Sequence, residues 1–148
     1  VHFLVWKIGL PVGTKYEKLR IPTRFKVSRE LIKAFIQGLA DADFSLALKK
    51  RYKQQPYYPV IVGFSKSRKL MEDVAKFLKG EDFSISKHFD KIRHDERFGK
   101  VTVHVIQLYG HKQLAKWMLG IGFRNPKHLV KFGFWKKLIK TTVGLARL

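Results

Sequence analysis

Ala34-Phe35-Ile36-Gln37-Gly38-Leu39-Ala40-Asp41-Ala42-Asp43 is the stretch on which the fold turns. Leu31, Ile32, Phe35, Leu39 and Ala42 recur at helical spacing, which predicts a helix over about 29–42 with Ser28 as its N-cap. Ala34, Gly38 and Ala42 form a row of small side chains along one face, a surface that lets another helix approach closely. Asp41 and Asp43 then stand at the helix C-terminus, where the helix dipole disfavours negative charge by a few tenths to ~1 kcal/mol. Carboxylates placed against that cost need a reason. In a chain this basic, a bound metal ion is one; a solvated Asp-rich helix end is the plainer alternative.

The rest of the chain supports a nucleic-acid partner. It has 148 residues, the size of one ordinary domain, and 45% are apolar, enough for a real core. Lys and Arg number 31 against 11 Asp and Glu, a formal charge of +20 that would self-repel strongly without a polyanion. The charge is spread along the chain rather than gathered on one amphipathic helix, which favours nucleic acid over an anionic membrane. With no Cys, disulfides and thiolate metal sites are excluded. The six His show no metal-ligand pairing, and no run of about 18 apolar residues could span a membrane. The opening Val1-His2-Phe3-Leu4-Val5-Trp6 is too short for a signal h-region, so the protein is expected not to be secreted.

Taken in order, residues 1–27 read as a lead-in or the remnant of a preceding domain, and 28–148 as the domain proper. Phe44, Leu46 and Leu48 alternate with Ser45, Ala47 and Lys49, a strand that runs to Arg51. Residues 52–57 form a hairpin connection and 58–64 the return strand, Val60, Val62 and Phe64 on one face and Ile61, Gly63 and Ser65 on the other. A helix follows over about 67–78, closed by Gly80. Residues 83–89 alternate again, with Phe83, Ile85 and Phe89 inward and Ser84, Ser86 and His88 outward. A charged loop is expected over 90–99, then a strand over 100–108 with Val101, Val103 and Val105 opposite Thr102 and His104. Ile106 and Leu108 break that alternation, which suits a bulge or a second buried face. A short helix over 111–119 ends at Gly120, and Asn125 caps a last helix that starts at Pro126 and runs to about Ile139. The expected fold class is α+β, a twice-repeated αββ unit followed by helices.

Residues 36–44, Ile-Gln-Gly-Leu-Ala-Asp-Ala-Asp-Phe, resemble the signature of the LAGLIDADG homing endonucleases, with Gly38, Leu39, Asp41, Ala42 and Asp43 at matching positions. The αββαββα order is that family's core. Gly9-Leu10-Pro11-Val12-Gly13 with Arg20-Ile21-Pro22, and Gly122-Phe123-Arg124-Asn125-Pro126-Lys127-His128-Leu129, resemble flanks of archaeal members. Phe44 stands where the motif normally ends in Gly, and Gln37 where it has a small residue. A Gly there takes positive φ, which is strained for Phe; as the first strand residue Phe44 would instead point into the core.

The resemblance implies a site-specific double-stranded DNA endonuclease of cytoplasmic or organellar location, coded in an intron, in an intein or on its own. Motif helices of two domains would pack through Ala34, Gly38 and Ala42. Asp43 would bind Mg²⁺ or another divalent cation such as Mn²⁺, while Asp41 would be structural. Lys127 and Lys66, with Ser65 nearby, match the family's basic and water-organising positions near the metals. An antiparallel four-stranded saddle would lie on DNA through Ser45, Lys49, Arg51, Lys53, Ser65, Ser84, Ser86, His88, Thr102 and His104. A single motif implies a homodimer or a missing first-motif half, and the absent initiating Met suits the second. A DNA-binding protein without cleavage, or an intron-RNA maturase with RNA as partner, are the family's other possibilities.

Overall fold

A computed structural model describes residues 18–51 and 55–146. After a short 3-10 turn at Thr23–Phe25, the elements run α1 (Arg29–Asp43), β1 (Phe44–Arg51), β2 (Gln55–Ser65), α2 (Arg68–Gly80), β3 (Ser86–Asp95), β4 (Gly99–Tyr109), α3 (His111–Gly120) and α4 (Pro126–Ala146). The sheet is antiparallel throughout, in the order β1-β2-β4-β3. The class is therefore α+β, and the αββαββ order read from the sequence is present.

Register decides which side chains meet the helices. Phe44 pairs with Gly63 and Leu46 with Ile61, while Ile61 pairs with Leu108 and Gly63 with Ile106. These residues join Ile36 and Ala40 of α1, Leu70, Met71, Val74 and Leu78 of α2, and Leu114 and Trp117 of α3 in one core. No described helix covers the other face of the sheet. α4 packs along β1, an edge strand, and Lys131 Nζ donates to the Leu46 carbonyl at 3.0 Å. An open strand edge templates unwanted pairing, and α4 blunts this one.

α1 passes into β1 without a break. Phe44 has φ −93° and ψ 159°, the extended conformation of a first strand residue. Its ring is 2% exposed, 5.9 Å from the Trp117 ring, and lies over Gly63, where a Cβ would overlap it. The chain needs no positive φ at this point, because the residue after the motif is spent on the core.

Residues 18–27 belong to the same packed unit. Ile21 is 3% exposed within the core. Asp73 of α2 accepts from Arg20 Nη2 at 3.1 Å, Lys26 Nζ at 3.0 Å and the Ile21 amide at 3.3 Å. The Ser67 hydroxyl, fully buried, donates to the Leu19 carbonyl at 2.7 Å and accepts from the Leu70 amide as the N-cap of α2.

Several boundaries differ from the sequence reading, and β2 is one: it starts at Gln55, inside the expected hairpin connection. β3 starts at Ser86, not 83, and runs to Asp95, so most of the expected charged loop is strand. A register shift between His88 and Lys91, with Asp90 at φ +57°, interrupts the alternation there. β4 carries no bulge; of the two readings offered there the second buried face holds, with Val103 and Val105 buried on one side and Ile106 and Leu108 on the other. α4 continues well past Ile139; Thr141 and Thr142 fold their hydroxyls back onto the carbonyls of Lys137 and Leu138, at 3.1 and 3.0 Å.

Candidate nucleic-acid interface

The two carboxylates at the end of α1 are used differently. Asp41 Oδ1 accepts the amides of Arg124 and Asn125, at 2.9 and 3.0 Å, and Asn125 Nδ2 donates back to the Asp41 carbonyl at 3.1 Å. Asn125 Oδ1 in turn accepts the Lys127 amide at 3.1 Å. Asp41 thus ties the end of α1 to the start of α4 and satisfies amides that a helix N-terminus leaves open. Asp43, two residues on, is exposed and makes no hydrogen bond or ion pair among the described residues.

The same tie brings Lys127 to the corner that holds Asp43. Lys127 is exposed, two residues beyond Asn125. Ser65 closes β2 and Lys66 follows it at the same end of the sheet, since Gly63 pairs with Phe44. Lys66 Nζ lies 4.9 Å from the centre of the Phe98 ring. Behind the corner His128 is 1% exposed, its ring 4.4 Å from that of Phe123 and tilted 35° to it, with neither ring nitrogen hydrogen-bonded among the described residues. Burial holds its imidazole below the ordinary value, and Lys127 and Lys131 push the same way. Asp41 and the Phe44 backbone oppose that; the latter lies near the ring but outside bonding geometry.

Ala34, Gly38 and Ala42 are all exposed on α1, and a Cβ added at Gly38 would meet nothing within 4 Å. Leu31 beside them is 42% exposed. The small row is therefore a bare stripe on the described part of the molecule.

The helix-free face of the sheet carries Ser45 and Lys49 from β1, and Ser86 and His88 from β3, as expected. On β4 the expected alternation holds, but its two faces are exchanged. Val101, Val103 and Val105 lie on the helix-free side, whereas Thr102 and His104 are on the helix side. His104 is 5% exposed, accepts the Asp90 amide at Nδ1 (3.2 Å) and packs edge-on against Phe89 at 5.5 Å. Ser65 is on the helix side too, paired with His104, its hydroxyl accepting the Ser67 amide at 3.0 Å. Ser84 precedes the sheet, its amide donating to Gln113 Oε1 at 3.2 Å. These four are corrected: the face was chosen by polarity, and polarity was misleading because the helix-free face has a floor of valines. Val60, Val103 and Val105 on it are buried, at 1%, 4% and 3% exposure. Lys53 lies outside the described residues, as does the side chain of Arg51.

The structure adds Lys91 and Arg93, which the bulge turns to the helix-free side, with Arg93 5.5 Å over the Phe64 ring. Continued alternation through Lys91-Ile92-Arg93 was the signal for them. At the far end of this face a depression of about 480 Å³ is lined by Lys49, Lys50, Tyr58, Val60 and Tyr109. Cationic rims around an apolar floor suit phosphate contacts and thymine methyl groups better than dense hydrogen-bond readout.

No family model matches the chain, and no curated protein matches it significantly. Among the described residues no group of three or more His, Cys, Asp or Glu comes together, and no helix is long and apolar enough to cross a membrane.

Proposed function

We propose that the protein is a LAGLIDADG-type homing endonuclease, a metal-dependent enzyme that makes double-strand breaks at specific DNA sites. The observation that carries this reading is the division of labour at the end of α1. Asp41 is consumed in fastening α4, while among the described residues Asp43 stands exposed without a partner, beside a bare stripe of small residues. The fold class and the +20 charge support it.

One free carboxylate suits a hard divalent cation such as Mg²⁺ or Mn²⁺ as a single ligand, and a complete site needs more oxygens. A second copy packed along Ala34, Gly38 and Ala42, or a first-motif half, would bring its own acidic residue, and DNA phosphates would supply the rest. The cation would neutralise charge on the scissile phosphate and ease formation of hydroxide. Lys127 and Lys66, at the same corner, would stabilise negative charge developing on the phosphate. Lys49, Lys91 and Arg93 would hold the backbone of duplex DNA on the sheet.

The valine floor favours a second reading, a nucleic-acid-binding protein of this architecture without cleavage, on DNA or on RNA as a maturase. Both are separated by selecting duplexes from a random pool and assaying cleavage in Mg²⁺. The enzyme reading expects a double-strand break that Asp43→Asn abolishes while binding persists. Selection of structured RNA but no duplex would replace it with the RNA-binding reading.

A further inference from the structure

The β2–β4 ladder ends at Ser65 and His104, but β3 and β4 continue past it. Among the described residues, 91–95 and 99–103 pair only with each other, an overhang of five rungs that extends roughly 16 Å beyond the sheet. It leaves at the end that holds Asp43 and Lys66. The tip is built to be rigid. Asp95 Oδ1 accepts the amides of Arg97 and Phe98, at 2.8 and 3.1 Å, and Gly99 closes the three-residue loop at φ +69°.

This stiff tip presents Phe98 at 71% exposure, with Ile92 at 70% further down the ribbon. Lys66 flanks the Phe98 ring, and residues 91–100 carry Lys91, Arg93, Arg97 and Lys100 against Asp95 and Glu96. The Asp95 carboxylate is already committed to the turn. An exposed aromatic on a projecting cationic ribbon is poorly matched to a protein surface of average charge and well matched to a polyanion that has π-faces inside.

We propose that the β3–β4 ribbon is a separate DNA-contacting element in which Phe98 acts as an apolar wedge. The ring enters the minor groove of duplex DNA and parts a base step, while Arg97 and Lys100 sit on the flanking phosphates. This rests on the DNA-binding reading above. A sheet seated in the major groove leaves the adjoining minor groove facing whatever projects past the sheet's end, and a ribbon of this length reaches it. Inserted apolar side chains unstack a step and kink the duplex, at a cost offset by the added phosphate contacts.

The test uses duplexes enriched from a random pool by the wild-type protein, labelled at both ends for energy transfer. Wild-type protein should shorten the end-to-end distance. Phe98→Ala should bind within about threefold, because the phosphate contacts remain, and lose most of the bend; Phe98→Leu, still an apolar wedge, should keep it. Phe98 is largely exposed, so unchanged circular dichroism is expected for both variants. A bend in Phe98→Ala equal to wild type overturns the wedge and leaves DNA binding intact. Failure of the wild type to enrich any duplex overturns the wedge together with the reading beneath it.

Discussion

At the scale of the residue, the two aspartates of α1 carry separate claims, Asp41 on stability and Asp43, under the proposed function, on chemistry. Asp41→Ala removes the acceptor of two amides, and a loss of about 1–2 kcal/mol of unfolding free energy in urea is expected. Asp43→Asn should leave that value within ~0.5 kcal/mol of wild type, as substitutions at unpartnered surface positions do. His128 gives a pH dependence of known sign. Burial holds its folded-state pKa below the ordinary value, so the unfolded chain takes up the proton first as pH falls. Stability is full above about pH 6.5 and declines below it until the folded-state pKa is passed. His128→Phe should flatten that part of the profile in denaturation at a series of pH values. A second acid limb belongs to Asp73. Burial raises its pKa, but the hydrogen bonds from Arg20 and Lys26 more than offset this and hold it below the usual carboxylate range. That contribution is full above the ordinary carboxylate range and is lost as pH falls from there through the folded-state pKa.

At the scale of the element, α1 makes the most exposed claim, that its bare stripe is a seam. Gly38→Arg tests it, because a Cβ there has open space within 4 Å among the described residues, while replacing Gly in a helix favours folding by up to ~1 kcal/mol. The expected result is a melting temperature equal to or above wild type together with loss of self-association on DNA, read by sedimentation. Unchanged self-association would remove the stripe from the interface. The elements also show what periodicity conveys and what it does not. Helical spacing placed α1 to within a residue, and alternation placed β1, because Phe44, Leu46 and Leu48 all face one core. β3 was misread because its bulge at Asp90 breaks the two-residue period that a strand is recognised by. The outer face of β4 is not legible from polarity, because Val103 and Val105 are buried on the helix-free side beside Val60 of β2, while Thr102 and His104 fall on the helix side. The capping of α4 by Asn125 was legible in the Asn-Pro pair, whereas its fastening by Asp41 spans 84 residues and has no local signature.

At the scale of the whole molecule, the +20 charge makes salt the dominant variable. Each phosphate neutralised on B-DNA adds roughly −0.9 to the slope of log affinity against log salt, so affinities compared across variants must share one ionic strength. Charge makes a polyanion the expected partner from composition alone, but which face would meet it depends on where the helices fall, and that is a property of the register. The most direct measurement is cleavage of wild-type-selected duplexes in Mg²⁺ by wild type and Asp43→Asn at matched salt. The prediction is a double-strand break by wild type and none by Asp43→Asn, which still binds the same duplex. Cleavage by Asp43→Asn at the wild-type rate would contradict the assignment of Asp43 as the metal-binding carboxylate.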